Sequence, residues 1–228
     1  SYSKSDIHFK GAEHDLTRYD VSAHDKPKGW HLDYLNPARM TIPQTNLRIG
    51  YFITNHYNIS IGVDHMKYVM YNDRRVDYSG YYPNAGSYNE NPVGDQLTLD
   101  EDFLTFEHTD GLNYVNTEIS RVDDISSLFK LPNTDKFQIN VTEGVGVGLL
   151  YPKTNTKLLG KDRYDQFHIA GYGLSAKVGL NFTFFKYFFI QTELKGGYID
   201  MNDIRTTSSK ADSAEQHFWF LQRIIAVG

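Results

Sequence analysis

The chain has no cysteine, and nowhere do apolar residues run long enough to make a membrane-spanning helix. The missing thiols exclude disulfides, iron–sulfur clusters, cysteine–zinc sites and thiol catalysis. The missing run, which would need roughly 18 apolar residues, excludes a transmembrane helix. It does not exclude a transmembrane barrel, whose strands alternate and average near neutral. Positive charge is also short: 23 Lys and Arg face 28 Asp and Glu, a formal net charge of -5, the wrong sign for a nucleic-acid binder. No Gly-rich phosphate loop, dinucleotide fingerprint, nucleophile elbow or HExxH pair occurs, so no cofactor is expected.

What is present is aromatic and alternating. Tyr (17) and Phe (14) are abundant, and 40% of residues are hydrophobic, too apolar for a disordered chain. At 228 residues the chain is read as a single domain over 1–228. Apolar residues recur with a period of two, the mark of a strand with two unlike faces. The clearest run is Ala170, Tyr172, Leu174, Ala176, Val178, Leu180 and Phe182, interleaved with Gly171, Gly173, Ser175, Lys177, Gly179 and Asn181. Phe184 to Lys186 then turn the chain tightly into a second alternating run from Phe188, an antiparallel hairpin.

The same reading gives eight strands, at about 4–13, 45–54, 57–72, 111–122, 135–151, 165–182, 186–202 and 215–228. Long connections (14–44, 73–110, 152–164, 203–214) alternate with short ones (55–56, 123–134, 183–185). That alternation around an even number of strands is the pattern of bacterial outer-membrane barrels, with long extracellular loops and short periplasmic turns. The expected fold is therefore all-β: an eight-stranded antiparallel transmembrane barrel in the outer membrane, bathed in its lipid. The rival is a soluble β-barrel or sandwich that holds an apolar ligand inside. The face rich in Gly, Ser, Asn and Thr suits a narrow lumen, and aromatics near strand ends suit interfacial girdles. Ser1 with no basic-then-apolar leader reads as a processed chain. Trp219 to Gly228 reads as a strand cut in mid-run, with a few residues expected after it.

In layout the chain resembles the small eight-stranded outer-membrane barrels of the OmpA and OmpX type and the lipid A-modifying barrels. With apolar faces outward, the lumen would hold Arg48, Asp64, Glu118, Lys177, Glu193 and Lys195. Charges in so narrow a space must pair, because each costs several kcal/mol to desolvate alone. Glu143 breaks the rule by falling on an apolar face, which suggests a bulge or a lateral contact with a protein partner.

His108, Asp110, Asn116 and Glu118 share a parity, and the stretch around them is similar to the motif of PagL-type lipid A deacylases. That resemblance implies His108 as general base with Glu118 orienting it. Asp110 stands where the family's nucleophilic Ser belongs. The plain reading makes Asp110-Gly111 a turn. Nine scattered histidines show no zinc spacing, and Asp95, Asp100, Glu101 and Asp102 lack the order of a calcium loop, so no metal is expected. The long loops carry Tyr19, Trp30, Tyr34, Tyr78, Tyr81, Tyr82 and Tyr88, a composition suited to binding. Three functions stay open: a non-enzymatic barrel presenting its loops to a partner, for example as a subunit of a larger outer-membrane assembly; a lipid A-modifying enzyme; and the soluble apolar-ligand binder.

Overall fold

A computed structural model describes residues 2–12, 14–24, 46–70, 75–82, 96–98, 104–131, 133–158, 167–207 and 211–228. Alternation becomes strand wherever it was strongest. Among the described residues twelve strands form: β1 (Tyr2–Lys10), β2 (Asp15–His24), β3 (Asn46–Phe52), β4 (Tyr57–Met70), β5 (Arg75–Tyr81), β6 (Gln96–Thr98), β7 (Leu104–Asp124), β8 (Phe137–Leu150), β9 (Thr154–Leu158), β10 (Gly171–Phe184), β11 (Phe188–Arg205) and β12 (Ser213–Val227). Among the described residues the only helical element is a four-residue 3-10 turn at Ser126–Phe129, and no helix is long and apolar enough to cross a membrane.

Every described ladder is antiparallel. The sheet runs β3-β4-β7-β8-β10-β11-β12-β1-β2-β5-β6, with β9 on β7. Two further pairs, Ala23 with Met70 and His24 with Val69, join β2 to β4. The expected hairpin is seen in β10 and β11, paired from Gly171–Met201 to Phe184–Phe188.

The strand count exceeds the eight expected. β2, β5, β6 and β9 lie in stretches expected to be loops, and β7 begins at Leu104, not 111. The reason is mutual pairing: β2 folds back on β1, β5 on β2, and β9 on β7. Asp110-Gly111 sits inside β7, so it is not a turn.

Along β7 one face stays buried while its chemistry changes. Leu104, Phe106, Leu112 and Tyr114 are apolar; Asn116, Glu118 and Ser120 follow in the same parity. β11 shows the same change in reverse order, from Glu193 and Lys195 to Ile199, Met201 and Ile204. The sheet therefore has two storeys. The upper one, with β1, β2 and the first half of β7, encloses an apolar cluster that includes Ile7, Phe9, Leu16, Phe106 and Met201. The lower one, with β3, β8 and β10, buries polar groups and turns its apolar side out: Ile49 and Ile225 are each 75% exposed.

Aromatics mark both rims of that exposed belt. Near its top, Tyr151 stacks on Phe167 at 5.3 Å and Tyr198 meets Trp219 at 5.2 Å. At its bottom Phe137 contacts Phe182 and Phe184, and Phe184 contacts Phe188. From Tyr172 to Phe184 along β10 the belt measures ~40 Å of strand.

Candidate functional site

The lower storey holds the six charges singled out by parity, now drawn from five strands. Arg48 comes from β3, Asp64 from β4, Glu118 from β7, Lys177 from β10, and Glu193 and Lys195 from β11. Lys177 and Lys195 stand directly opposite each other in register. Like charges so placed repel, and Glu118 resolves it. Glu118 takes Lys195 at 2.6 Å and Lys177 at 2.8 Å. Lys195 also binds Asp64, and Lys177 binds Glu193 at 2.9 Å. Arg48 reaches across to Asp64 (3.2 Å), Glu118 (3.1 Å) and Glu193 (3.4 Å).

Three cations and three carboxylates thus close a neutral cluster. Neutral groups finish it: Asn116 donates to Asp64 at 3.0 Å, and Gln191 donates to Glu193. Tyr114 roofs it, with the Lys195 ammonium 5.1 Å from its ring centroid and its hydroxyl donating to the Gly173 carbonyl at 3.0 Å. The alternating glycines of β8 make the room. A Cβ on Gly146 would sit 2.7 Å from Glu118 Cγ. One on Gly148 would overlap the Val115 carbonyl oxygen. The cluster fills its space with ion pairs and leaves no free base or nucleophile within it.

His108 and Glu118, the suggested catalytic pair, are not brought together. They lie ten residues apart on one unbroken strand, ~33 Å at strand rise. His108 belongs to the upper storey. Its Nδ1 is 2.9 Å from Thr154 Oγ1, and its ring packs edge-on to Phe106. Burial pushes it down to about 3, against a hydrogen bond with Gln216 that raises it, so it is neutral and shut away from solvent. The Asp110 side chain, like Asp95, Asp100, Glu101 and Asp102, lies outside the described residues, as do Trp30, Tyr34 and Tyr88.

Glu143 does face outward on the belt. In register it stands opposite Arg121 on one side and Val178 on the other. Arg121 also binds Asp123 at 2.7 Å. An opposite charge directly across the ladder stabilises such a position without a partner protein. No group of three His, Cys, Asp or Glu that could hold a metal occurs among the described residues.

Sequence reasoning missed two buried groups above the belt. Arg18 is fully buried beside Tyr78 and Tyr82. Desolvation pulls its guanidinium down to about 9, while those tyrosines raise it. His14 is buried near Gly11 and Asp212. Arg18 shares its parity with Leu16, the one signal that could have placed it inside. No protein-family model matches the chain, and no curated protein matches it either.

Proposed function

We propose that this protein is an integral bacterial outer-membrane β-barrel with a plugged lumen, which holds a folded extracellular storey above the lipid for a protein partner. The observation that carries the reading is the inversion of sidedness at one level of the sheet. Below that level apolar side chains point out and ions point in; above it the sense reverses. A soluble apolar-ligand barrel would keep its apolar side chains inside throughout. Only a sheet standing in two solvents has reason to exchange its faces.

The pairing of β2 with β4 supports closure. β2 and β3 run the same way and both lie beside β4; β4 and β5 both lie beside β2. Counted by position around the wall, the strands then make eight: β1, β2 with β3, β4 with β5, β7, β8 with β9, β10, β11 and β12. Eight positions leave a narrow interior, and the ionic cluster fills it, so transport is not its task. The hydroxyl and imidazole that do meet, Thr154 and His108, are both buried, which speaks against catalysis there. Partner binding remains, and the upper storey exposes Tyr19 and Tyr81 for it.

Gentle detergent extraction, affinity capture and mass spectrometry test this reading. The protein is expected in the outer-membrane fraction, resistant to carbonate washing, with a stoichiometric partner that is lost when the exposed tyrosines are replaced by Ser. Recovery in the aqueous fraction, or a strictly solitary protein, would overturn it.

A further inference from the structure

We propose that one strand position in the belt, between β12 and β3, is filled by the stretch of the same polypeptide that leads into β1. This rests on the barrel reading above.

Two bare edges carry the inference; the position of Ser1 does not. β1 pairs with β12 only at Ser213 to His217. Below that, from Phe218 to Val227, β12 is paired with β11 alone among the described residues. β3 is likewise paired with β4 alone. Backbone donors and acceptors that no described strand meets at these edges cannot stand unpaired in lipid, where each unmet group costs several kcal/mol.

The upper storey shows what belongs there. Between β12 and β4 it has two strand positions, β1 and then β2. The belt has only one, β3, which continues the line of β2. The position that no described strand fills therefore lies directly below β1. Direction agrees. β12 and β3 both run down toward the lower rim, so an intervening strand antiparallel to both must run up, as β1 does. β1 departs from β12 at the bulge between Ser5 and Ile7.

Chemistry at the gap specifies the strand. Outward neighbours are Leu221 and Ile225 on β12 and Ile49 and Tyr51 on β3, all exposed, so its outward residues are apolar. Inward neighbours ask for hydrogen bonds: Gln222 Oε1 and Arg48 Nε are buried atoms with none. Inward-facing Phe52 is 54% exposed, where a wall should cover it. The strand is thus about ten residues, alternating apolar with Ser, Thr, Asn or Gln.

A benzophenone amino acid in place of Arg223, irradiated in membranes that carry the full-length protein, tests this. The expected product has the mass of one chain and joins the β12 peptide to a peptide lying ahead of Ser1. A link to a β3 peptide would mean the edges close on each other. A link to a second polypeptide would mean the strand comes in trans. Either one, or no peptide adduct at all, overturns the proposal. Failure of the barrel reading shows separately, as protein recovered without detergent.

Discussion

Replacing Lys195 with Met is the sharpest perturbation of the ionic cluster. Lys195 is fully buried and holds Asp64 and Glu118 together. Its removal leaves three buried carboxylates facing two cations. Asp64 keeps Arg48 at 3.2 Å and Asn116 at 3.0 Å; Glu118 keeps Lys177 at 2.8 Å. Breaking a buried pair by taking one partner costs about 3–5 kcal/mol, because a charge is left uncompensated. The side chain's total burial puts Lys195→Met in that range. Arg48 is 21% exposed and partly screened, so Arg48→Met should cost less, about 1–3 kcal/mol. Restoring neutrality should recover the loss: Lys195→Met with Asp64→Leu is expected ~2 kcal/mol more stable than the single variant, since an apolar pair can replace a buried ion pair nearly without cost. Urea unfolding in detergent micelles, followed by the heat-dependent gel mobility of the folded barrel, reads all four proteins. Lys195→Met within ~1 kcal/mol of wild type, or a double variant no more stable than Lys195→Met alone, would refute the charge-balance argument.

Three further outcomes follow from the two-storey arrangement. Phe106→Ala removes a buried ring in edge contact with Phe9 at 5.9 Å; it should cost about 3–5 kcal/mol, speed proteolysis of the upper storey and leave membrane insertion intact, as limited proteolysis of whole cells would show. His108 titrates near 3 when folded against 6.5 ordinarily, so the unfolded chain takes up the proton first; its contribution is complete above 6.5 and is lost toward 3, at ~1.4 kcal/mol per pH unit, and His108→Gln should flatten that acid slope relative to wild type. Gly148→Val would force a side chain into the Val115 carbonyl and Asn116, and should leave the protein unassembled and degraded, while Val147→Leu on the outward face should insert normally, both read by membrane yield.

How much of this could be read in the sequence depended on whether parity survived along a strand. β10 keeps it for its whole length, so its two faces and its hairpin with β11 were legible. β2 does not. Leu16 and Arg18 point in, then Asp20 takes a left-handed φ of 55°, and Val21 becomes the next buried residue. The extra residue lies in β2 itself: Tyr19 and Asp20 face the single Asp6 of β1, whose carboxylate accepts from the Asp20 amide at 2.8 Å. One bulge turns an alternating strand into apparent loop. β7 and β11 bulge in the upper storey too, β7 between His108 and Leu112 and β11 after Met201. The six buried charges lay on regular stretches and were found; their pairing was not, because Glu118 meets Lys177 and Lys195 only across the intervening glycine-rich β8. The link from His108 to Glu118 failed for the opposite reason: shared parity puts residues on one face but says nothing of height along it.

Height is what the mean hydropathy of -0.50 conceals. On β7 the inner face passes from Leu112 and Tyr114 to Asn116 and Glu118, while the outer face passes from Asn113 to Val115 and Ile119. Both faces exchange character within the same two or three residues, so any window spanning the level averages to nothing. Tyr114 is the residue suited to that boundary. Its ring meets Phe220 above at 6.4 Å and faces the Lys195 ammonium below, and its hydroxyl finds a carbonyl on β10. Phe there would leave the Gly173 carbonyl without that donor, and a charged residue would have no place among Leu150 and Phe220. An aromatic with one polar tip joins the two interiors without an unmet group on either side. On the membrane reading proposed above, that continuity would let a single strand serve as wall at one end and as the core of the upper storey at the other.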